Sequence, residues 1–220
     1  MSNSSPRRRA AYDAAASRLA ILDAAEQIFA AHGFAGARVD QIAAQSGYNK
    51  SLLFQYFGDK LALYLAVLTR AEQGVGAVRL RAFRVLADDP ALGHDPGRFR
   101  AALTSACAAV IDHLLAHPPL LRLLLWEMAD GWQTYTRLRA QLPEEPVDGL
   151  EAVFAVATAA GLLRSRAPVA LHLTLALQAA IAALSCLPLL DTQGATTTAM
   201  LRDHTVALMV ASIVRDLPEA

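Results

Sequence analysis

The chain has 220 residues, 55% of them hydrophobic, and its twenty basic and twenty acidic side chains leave no net charge. This length can bury a sizeable core unaided, and Cys107 and Cys186 are too few and too distant for a disulfide framework or a zinc motif. No secretory signal peptide is expected, because charged residues interrupt the stretch after Arg7, Arg8 and Arg9. We therefore expect a cytoplasmic protein.

Abundant alanine, short β-branched runs and the lack of period-2 alternation predict an all-α fold of about nine helices. Residues 1–16 carry no apolar stripe and are predicted to form a flexible basic arm. Ser17 is the expected N-cap of the first helix, about residues 18–32, which ends where Gly33 follows.

Three further helices follow at close spacing. A short helix of about residues 39–45 ends at Gly47, and Asn49 is expected to cap a second short helix that continues to Phe57. Asp59 is expected to cap a longer helix of about residues 60–86. Two short helices joined by a glycine turn form a helix-turn-helix, so residues 17–64 are predicted to be a three-helix DNA-binding domain.

Residues 65–220 are predicted to form a C-terminal helical ligand-binding and dimerisation domain. Its later helical patterns cover about residues 98–116, 119–138, 147–162, 168–187 and 197–216, with breaks at proline-rich and glycine-containing segments. The uncharged segment from Val169 to Leu190 is long enough to span a bilayer. Its polar and alanine residues favour a buried interface helix, so we expect no membrane partner.

The N-terminal motifs resemble the TetR family of transcriptional regulators. The resemblance rests on RLAILDAAEQIF (residues 18–29), Gly33-Phe34, Ile42-Ala43, GYNKSLLFQYF (residues 47–57) and Lys60, in that order. It covers about residues 18–65 and weakens after about residue 70. It implies a one-component regulator that binds operator DNA, an inverted repeat, as a homodimer.

The sequence departs from the family pattern at three places. Ala37-Arg38 stand where threonine or serine usually enters the second helix, and Tyr48-Asn49 replace the usual Val-Ser after the turn glycine. Asn49 keeps the capping chemistry. Phe54 replaces a common tyrosine and so removes one hydroxyl that could contact a phosphate. Arg38 is expected either to supply a stronger phosphate contact or to read a base.

The resemblance implies that six side chains contact DNA: Arg38, Lys50, Ser51, Gln55, Tyr56 and Lys60. Tyr56 and Lys60 are expected on phosphates, and Arg38, Lys50 and Gln55 on base edges. The only two lysines of the chain, Lys50 and Lys60, lie in this motif. The alternative is that these are ordinary solvated side chains.

The basic residues Arg7, Arg8 and Arg9 have two interpretations. They either enter the minor groove as an arm or form a solubilising tail.

Self-association is assigned to the last two helices, about residues 168–187 and 197–216. Two such helices from each subunit would form a four-helix bundle, which is also where the TetR family dimerises. The apolar pattern of the last helix consists of Leu201, Val206, Leu208, Met209 and Ile213.

The resemblance also implies a cavity among the middle helices for a small apolar or amphipathic effector. The candidate lining residues are Phe83, Trp126, Glu127, Trp132, Tyr135 and Phe154, although for any one of them core packing is the alternative. His113 and His117 share a helix face but lack glutamate or cysteine partners in the neighbouring sequence, so no metal site is predicted.

The sequence therefore favours a repressor that a ligand releases from its operator. A transcriptional activator or a chromosome-organising protein would use the same motif. An enzyme on a helical scaffold is the rival from another class, but the chain carries no catalytic or nucleotide-binding motif, so neither an enzyme nor a cofactor is expected.

Overall fold

The computed structural model describes residues 6–141, 149–190 and 195–215, and the regular elements of these ranges are helical. Eleven α-helices occur in the described ranges, where the sequence predicts about nine. A 3₁₀ helix, Pro90–His94, lies in the predicted loop between the fourth and fifth helices. The helices are α1 (Pro6–Gly36), α2 (Val39–Ser46), α3 (Lys50–Phe57), α4 (Lys60–Ala87), α5 (Pro96–Ala116), α6 (Pro118–Ala129), α7 (Gln133–Arg139), α8 (Leu150–Ala159), α9 (Val169–Leu184), α10 (Leu187–Leu190) and α11 (Ala195–Ile213).

The start of α1 corrects the sequence prediction. The backbone is helical from Pro6, so Ser17 is an internal helix residue and not an N-cap, and the predicted arm is helical over residues 6–16. Proline suits the first turn of a helix, and the alanines that follow have the highest helix propensity. Residues 6–16 are therefore helical because of their intrinsic helix propensity, although they lack the apolar stripe that marks most helices in a sequence. Residues 1–5 lie outside the described residues.

Contacts between α-carbons divide the chain into two units. The first contains residues 1–72 and 118–143, and the second contains residues 73–117 and 144–220. This division does not follow the predicted sequence boundary at residue 64, because α6 packs against α1. The functions assigned to residues 17–64 and 65–220 remain predictions.

The core of the first unit joins the three N-terminal helices to the start of α4 and to α6. Ile21, Ile42 and Leu53 are buried from α1, α2 and α3. An aromatic cluster completes this core, in which the ring of Phe29 lies edge-on to that of Tyr64, with centroids 4.8 Å apart. Aromatic pairs of this geometry add to area burial. The helix-turn-helix is thus held from behind by α1 and α4.

The predicted helix of residues 119–138 is two helices. Gly131 and Trp132 both have left-handed backbone angles, with φ of 71° and 61°, which interrupts the helix between α6 and α7. The amide of Trp132 donates to the carbonyl oxygen of Glu127 at 2.7 Å, and its ring lies 5.4 Å from that of Tyr135. A glycine can indicate such a break in a sequence, but a tryptophan cannot, because non-glycine residues rarely adopt left-handed backbone angles.

The second unit is a helical bundle in which α11 packs against both α5 and α9. Phe99, Leu103 and Ile111 bury one face of α5. The helix predicted for residues 168–187 ends earlier, at Leu184, and α10 follows. Val206, Met209 and Ile213 are buried within the subunit, so these parts of the predicted α11 interface pattern are intramolecular core.

Two segments of the described chain are long and apolar enough to cross a membrane by length and composition alone. They are α5 and residues Val169–Leu190, and α3 and α4 pass the same test if the bent pair is joined. The buried face of α5 explains its apolar residues by packing inside the unit. In α9, Leu171 and Leu175 stay exposed, a pattern that fits the predicted interface helix.

Candidate nucleic-acid interface

The turn between α2 and α3 has the geometry that its sequence predicts. Gly47 adopts a left-handed conformation (φ 76°), and its amide donates to the carbonyl oxygen of Ala43 at 3.1 Å. This conformation favours glycine because other side chains are strained there. Asn49 then caps α3, its side-chain oxygen accepting the amide of Leu52 at 2.9 Å. Both predictions are confirmed.

The helix α3 has a buried face and an exposed face. Leu53 and Phe57 are buried, next to Ile42 of α2. Because Leu53 and Phe57 are buried, the side chains on the opposite face of α3 point to solvent. A recognition helix uses such a face to reach base edges in the major groove. The exposed side chains are Lys50, Ser51, Phe54 and Gln55.

The predicted DNA ligands Arg38 and Lys50 lie at the start of the two short helices. Arg38 is exposed immediately before α2, where its backbone is extended. The amine of Lys50 lies 3.0 Å from the carboxylate of Asp40, and both side chains remain well exposed. The ion pair with Asp40 was not predicted from the sequence, although an acidic residue on α2, ten positions before Lys50, could have suggested it.

Lys60 is engaged with the end of α1. Its amine donates to the carbonyl oxygen of Ala35 at 3.4 Å and lies 4.8 Å from the centroid of the Phe34 ring. Partial burial lowers the pKa of Lys60, because desolvation disfavours its charged form. The predicted phosphate ligand therefore also ties α4 to α1.

Tyr56 is half-buried at the end of α3. Its carbonyl oxygen accepts a hydrogen bond from the guanidinium of Arg18 at 3.1 Å, and the same guanidinium lies 4.5 Å from the centroid of the Phe57 ring. Sequence reasoning missed this role of Arg18. A cation over an aromatic face adds modest stability at an exposed site, so Arg18 helps to hold α3 against α1.

Two of the predicted effector ligands line a cleft between α1 and α6, within the first unit. We call it the α1–α6 cleft, and its volume is about 270 Å³. Trp126 and Glu127 lie on its α6 side, with Asp130 one turn further, and residues 32–35 and Tyr64 complete the lining.

Two buried glutamates of the first unit share Tyr135 as a neighbour. The carboxylate of Glu127 accepts the hydroxyl of Tyr64 at 2.7 Å and the amide of Tyr135 at 2.8 Å. Burial and Glu127 raise the pKa of Tyr64, so its phenol stays protonated and donates. The hydroxyl of Tyr135 donates to Glu72, which also forms an ion pair with Arg139 at 3.0 Å. Tyr64 and Glu127 are 63 residues apart in sequence, as are Glu72 and Tyr135, so local sequence patterns could not predict these pairs.

Of the four predicted effector ligands that do not line the α1–α6 cleft, Trp132 and Tyr135 belong to the first unit, and Phe83 and Phe154 to the second. Phe83 and Phe154 are buried, and the ring of Phe154 meets that of Phe99 edge-on at 5.6 Å. In the second unit a groove of about 360 Å³ lies along α5 and α11. On that groove Arg202 forms a bidentate ion pair with Asp112, which lowers the pKa of the carboxyl group.

The side chains that could serve metal or redox chemistry include Cys107, His113 and His117. Burial raises the pKa of the Cys107 thiol to about 12, which disfavours the reactive thiolate. The rings of His113 and His117 are 4.2 Å apart. Among the described residues, no three histidine, cysteine or acidic side chains are grouped to hold a metal ion.

This geometry, a capped and anchored helix behind a glycine turn with a polar outer face, is that of a helix-turn-helix motif. Residues 21–67 match the family model of bacterial regulatory proteins, tetR family. The chain is 35% identical over 136 residues to the HTH-type transcriptional repressor SCO4008 of Streptomyces coelicolor, which is 62% of this chain and 59% of the relative.

Two further relatives match over about a third of the chain. The HTH-type transcriptional regulator RutR of Escherichia coli K12 is 45% identical over 69 residues, 31% of this chain and 32% of RutR. The activator FasR of Mycolicibacterium smegmatis is 41% identical over 70 residues, 31% and 32% of the two chains. The chain thus spans less than two thirds of the length of these relatives.

Solved structures extend the similarity to nearly the whole chain. A transcriptional regulator of Streptomyces coelicolor, SCO4942, superposes with a TM-score of 0.58 at 25% identity over 90% of this chain and 98% of its own. A TetR family regulator of Marinobacter aquaeolei superposes with a TM-score of 0.62 at 21% identity, covering 94% and 100%. The N-terminal region thus matches the TetR family model, and the superposed structures share the fold of nearly the whole chain.

Proposed function

We propose that the chain is a transcriptional repressor that binds an operator in bacterial DNA as a homodimer and is released by a small molecule. The observation that carries this proposal is the exposed polar row of α3 behind the Gly47 turn, with the opposite face of α3 anchored in the core. This class is favoured over an enzyme because the relatives described above are named as regulators.

Within this proposal the six predicted ligands divide by position. Lys50 and Gln55 are exposed on α3 and would reach base edges, with Arg38 entering from the start of α2. Ser51 is exposed on the first turn of α3. Tyr56 and Lys60 lie next to the end of α3 and the start of α4, where contacts with phosphates would set the orientation of the motif.

The homodimer would form through α9 and α11. Leu171 and Leu175 lie one turn apart on α9 and are 47% and 61% exposed, and Met200 and Leu208 on α11 are 68% and 51% exposed. Since α9 and α11 pack against each other, these side chains offer exposed apolar surface on a neighbouring pair of helices. Such surface on a soluble protein commonly marks an interface.

Repression is favoured over activation by the longest match among the relatives described, the repressor SCO4008, although FasR is named as an activator. A promoter-reporter assay distinguishes the two, because loss of a repressor raises expression and loss of an activator lowers it. The protein would act in the cytoplasm, where its operator lies.

The first test is binding of the purified chain to its own upstream intergenic DNA at two salt concentrations. We expect binding as a dimer to a short inverted repeat, weakening steeply with salt as counterions are released. Lys50→Ala is the variant, and Arg166→Ala, which removes an exposed positive charge outside the motif, is the matched control.

The operator can lie elsewhere in the genome, so a selection from random DNA sequences accompanies this test. Enrichment of an inverted repeat that wild type and Arg166→Ala bind, and that Lys50→Ala binds weakly, supports the proposal. A wild-type dimer that enriches no sequence contradicts it.

A further inference from the structure

The α1–α6 cleft contains a tryptophan whose ring is held in place and yet half exposed. The indole N–H of Trp126 donates to the carbonyl oxygen of Ala30 at 3.1 Å, and its exposed fraction is 44%. The indole packs so closely on Gly33 that a β-carbon there would lie 2.9 Å from the ring. Hydrogen bonding and packing thus fix the indole while leaving part of it open to the cleft.

Two buried glutamates in the same unit differ in their charge compensation. Glu72 has Arg139 at 3.0 Å, whereas no lysine, arginine or histidine of the described residues lies within 4.0 Å of the Glu127 carboxylate. Glu127 is only 2% exposed and has hydrogen-bond donors but no positive partner. A buried charge without a counter-charge is costly, so the site attracts a cation.

Asp130 and the aromatic rings of the lining strengthen this preference. Asp130 adds a second carboxylate on the same side of α6, and it raises the pKa of Tyr64 together with Glu127, which places both acids near that phenol. The rings of Phe34 and Tyr64 lie 5.1 Å apart in the lining. Aromatic faces attract organic cations through their electron density, and tryptophan does so most strongly.

We propose that the α1–α6 cleft binds a small organic cation, a quaternary or protonated amine, between the Trp126 indole and the Glu127 carboxylate. An apolar cleft of about 270 Å³ suits an organic ion smaller than a typical drug molecule. A hydrated metal ion fits poorly, because such ions need several oxygen ligands and the described residues of the lining offer only two carboxylates, those of Glu127 and Asp130.

The regulatory consequence of this binding rests on the proposed function, whereas binding itself does not. The cleft is lined by residues 32–35 at the end of α1, and the same segment receives the amine of Lys60 at Ala35 and Phe34. Three residues further along is Arg38, a proposed DNA ligand. A cation in the cleft would therefore shift the position of Lys60 and Arg38 and lower operator affinity, and by linkage operator DNA would weaken cation binding.

The test uses choline and its neutral isostere 3,3-dimethylbutan-1-ol as probes. The chain has two tryptophans, so a Trp132→Phe background makes Trp126 the sole tryptophan reporter. Fluorescence titration in that background should show saturable binding of choline at least tenfold tighter than of the isostere. Glu127→Gln should lose this preference, and Glu72→Gln, which changes the Arg139-paired glutamate, should keep it.

Thermal melting of each variant checks folding, and Asp130→Asn provides a second, exposed variant that should weaken choline binding without unfolding the chain. Equal affinity for choline and its isostere, or a choline preference that survives Glu127→Gln, would overturn the proposal. Choline binding that leaves operator affinity unchanged overturns the regulatory consequence. If the chain binds choline selectively but binds no operator DNA, the result counts against the proposed function and not against the cation site.

Discussion

The chain presents two exposed surfaces of opposite chemistry. The outer face of α3 is mainly polar, with Lys50, Ser51 and Gln55, whereas the outer faces of α9 and α11 expose leucines and a methionine. A polar face can stay in water until it meets DNA, and its contacts weaken with salt. Apolar surface is better covered permanently. Under the proposed function, we therefore expect the protein to be a dimer already when it searches for DNA.

The largest effect should come from charging the apolar surface. Leu175→Arg combined with Leu208→Arg should give a monomer and lower operator affinity about 10²- to 10⁴-fold, because one half-site no longer assists the other. Sedimentation velocity and fluorescence anisotropy measure the two effects. Val85→Arg, at a valine that is 64% exposed on α4, is the control and should stay dimeric. A double variant that still dimerises would remove α9 and α11 from the interface.

The second effect concerns the polar surface and leaves the dimer intact. Lys50→Ala should weaken operator binding by about 1–3 kcal/mol if the amine contacts a base edge. A phosphate contact instead would weaken binding to all sequences and reduce the slope of log affinity against log salt by about 1. Titrations of operator and scrambled DNA at several salt concentrations separate the two roles. Unchanged binding to both would exclude Lys50 from the interface.

What could be predicted from the sequence differs between these regions for a physical reason. The Gly47 turn and the Asn49 cap depend on neighbours within four residues, so local sequence encodes them. The placement of the Glu127 side chain depends on Tyr64, which is 63 residues away in sequence. One miss was avoidable, since the alanines after Pro6 already favoured a helix.

The candidate DNA-binding site likewise has features that the local sequence predicts and features that depend on the tertiary fold. The exposed row on α3 follows from helical periodicity, and the structure places Lys50 and Gln55 as that periodicity predicts. The engagement of Lys60 by Ala35 required the tertiary fold, because it joins the start of α4 to the end of α1. The residues that line an effector cavity are the hardest to predict, because an aromatic residue in a core and one in a cleft have the same sequence pattern.

A smaller effect is expected at the cap of the recognition helix. Asn49→Ala removes the acceptor for the amide of Leu52 and should destabilise the first unit by about 1 kcal/mol. Chemical denaturation measures this loss, and Asn49→Ser, which restores a capping oxygen, should recover most of it. Operator affinity should fall only modestly, because the cap positions Lys50 without itself reading a base. A stability loss that serine fails to recover would argue against capping as its cause.

The smallest effect, and the most specific, is expected at Asp40. Its carboxylate holds the Lys50 amine at 3.0 Å and places a negative charge on the surface that would face phosphates. Asp40→Asn should therefore raise affinity for scrambled DNA about threefold, because one repulsive charge is lost, and change operator affinity less. Asp88→Asn, at an exposed residue beyond the end of α4, should change neither. If Asp40→Asn strengthens operator and scrambled DNA equally, the carboxylate only repels phosphates. If discrimination falls, as we expect, the ion pair orients Lys50 toward the base that it reads.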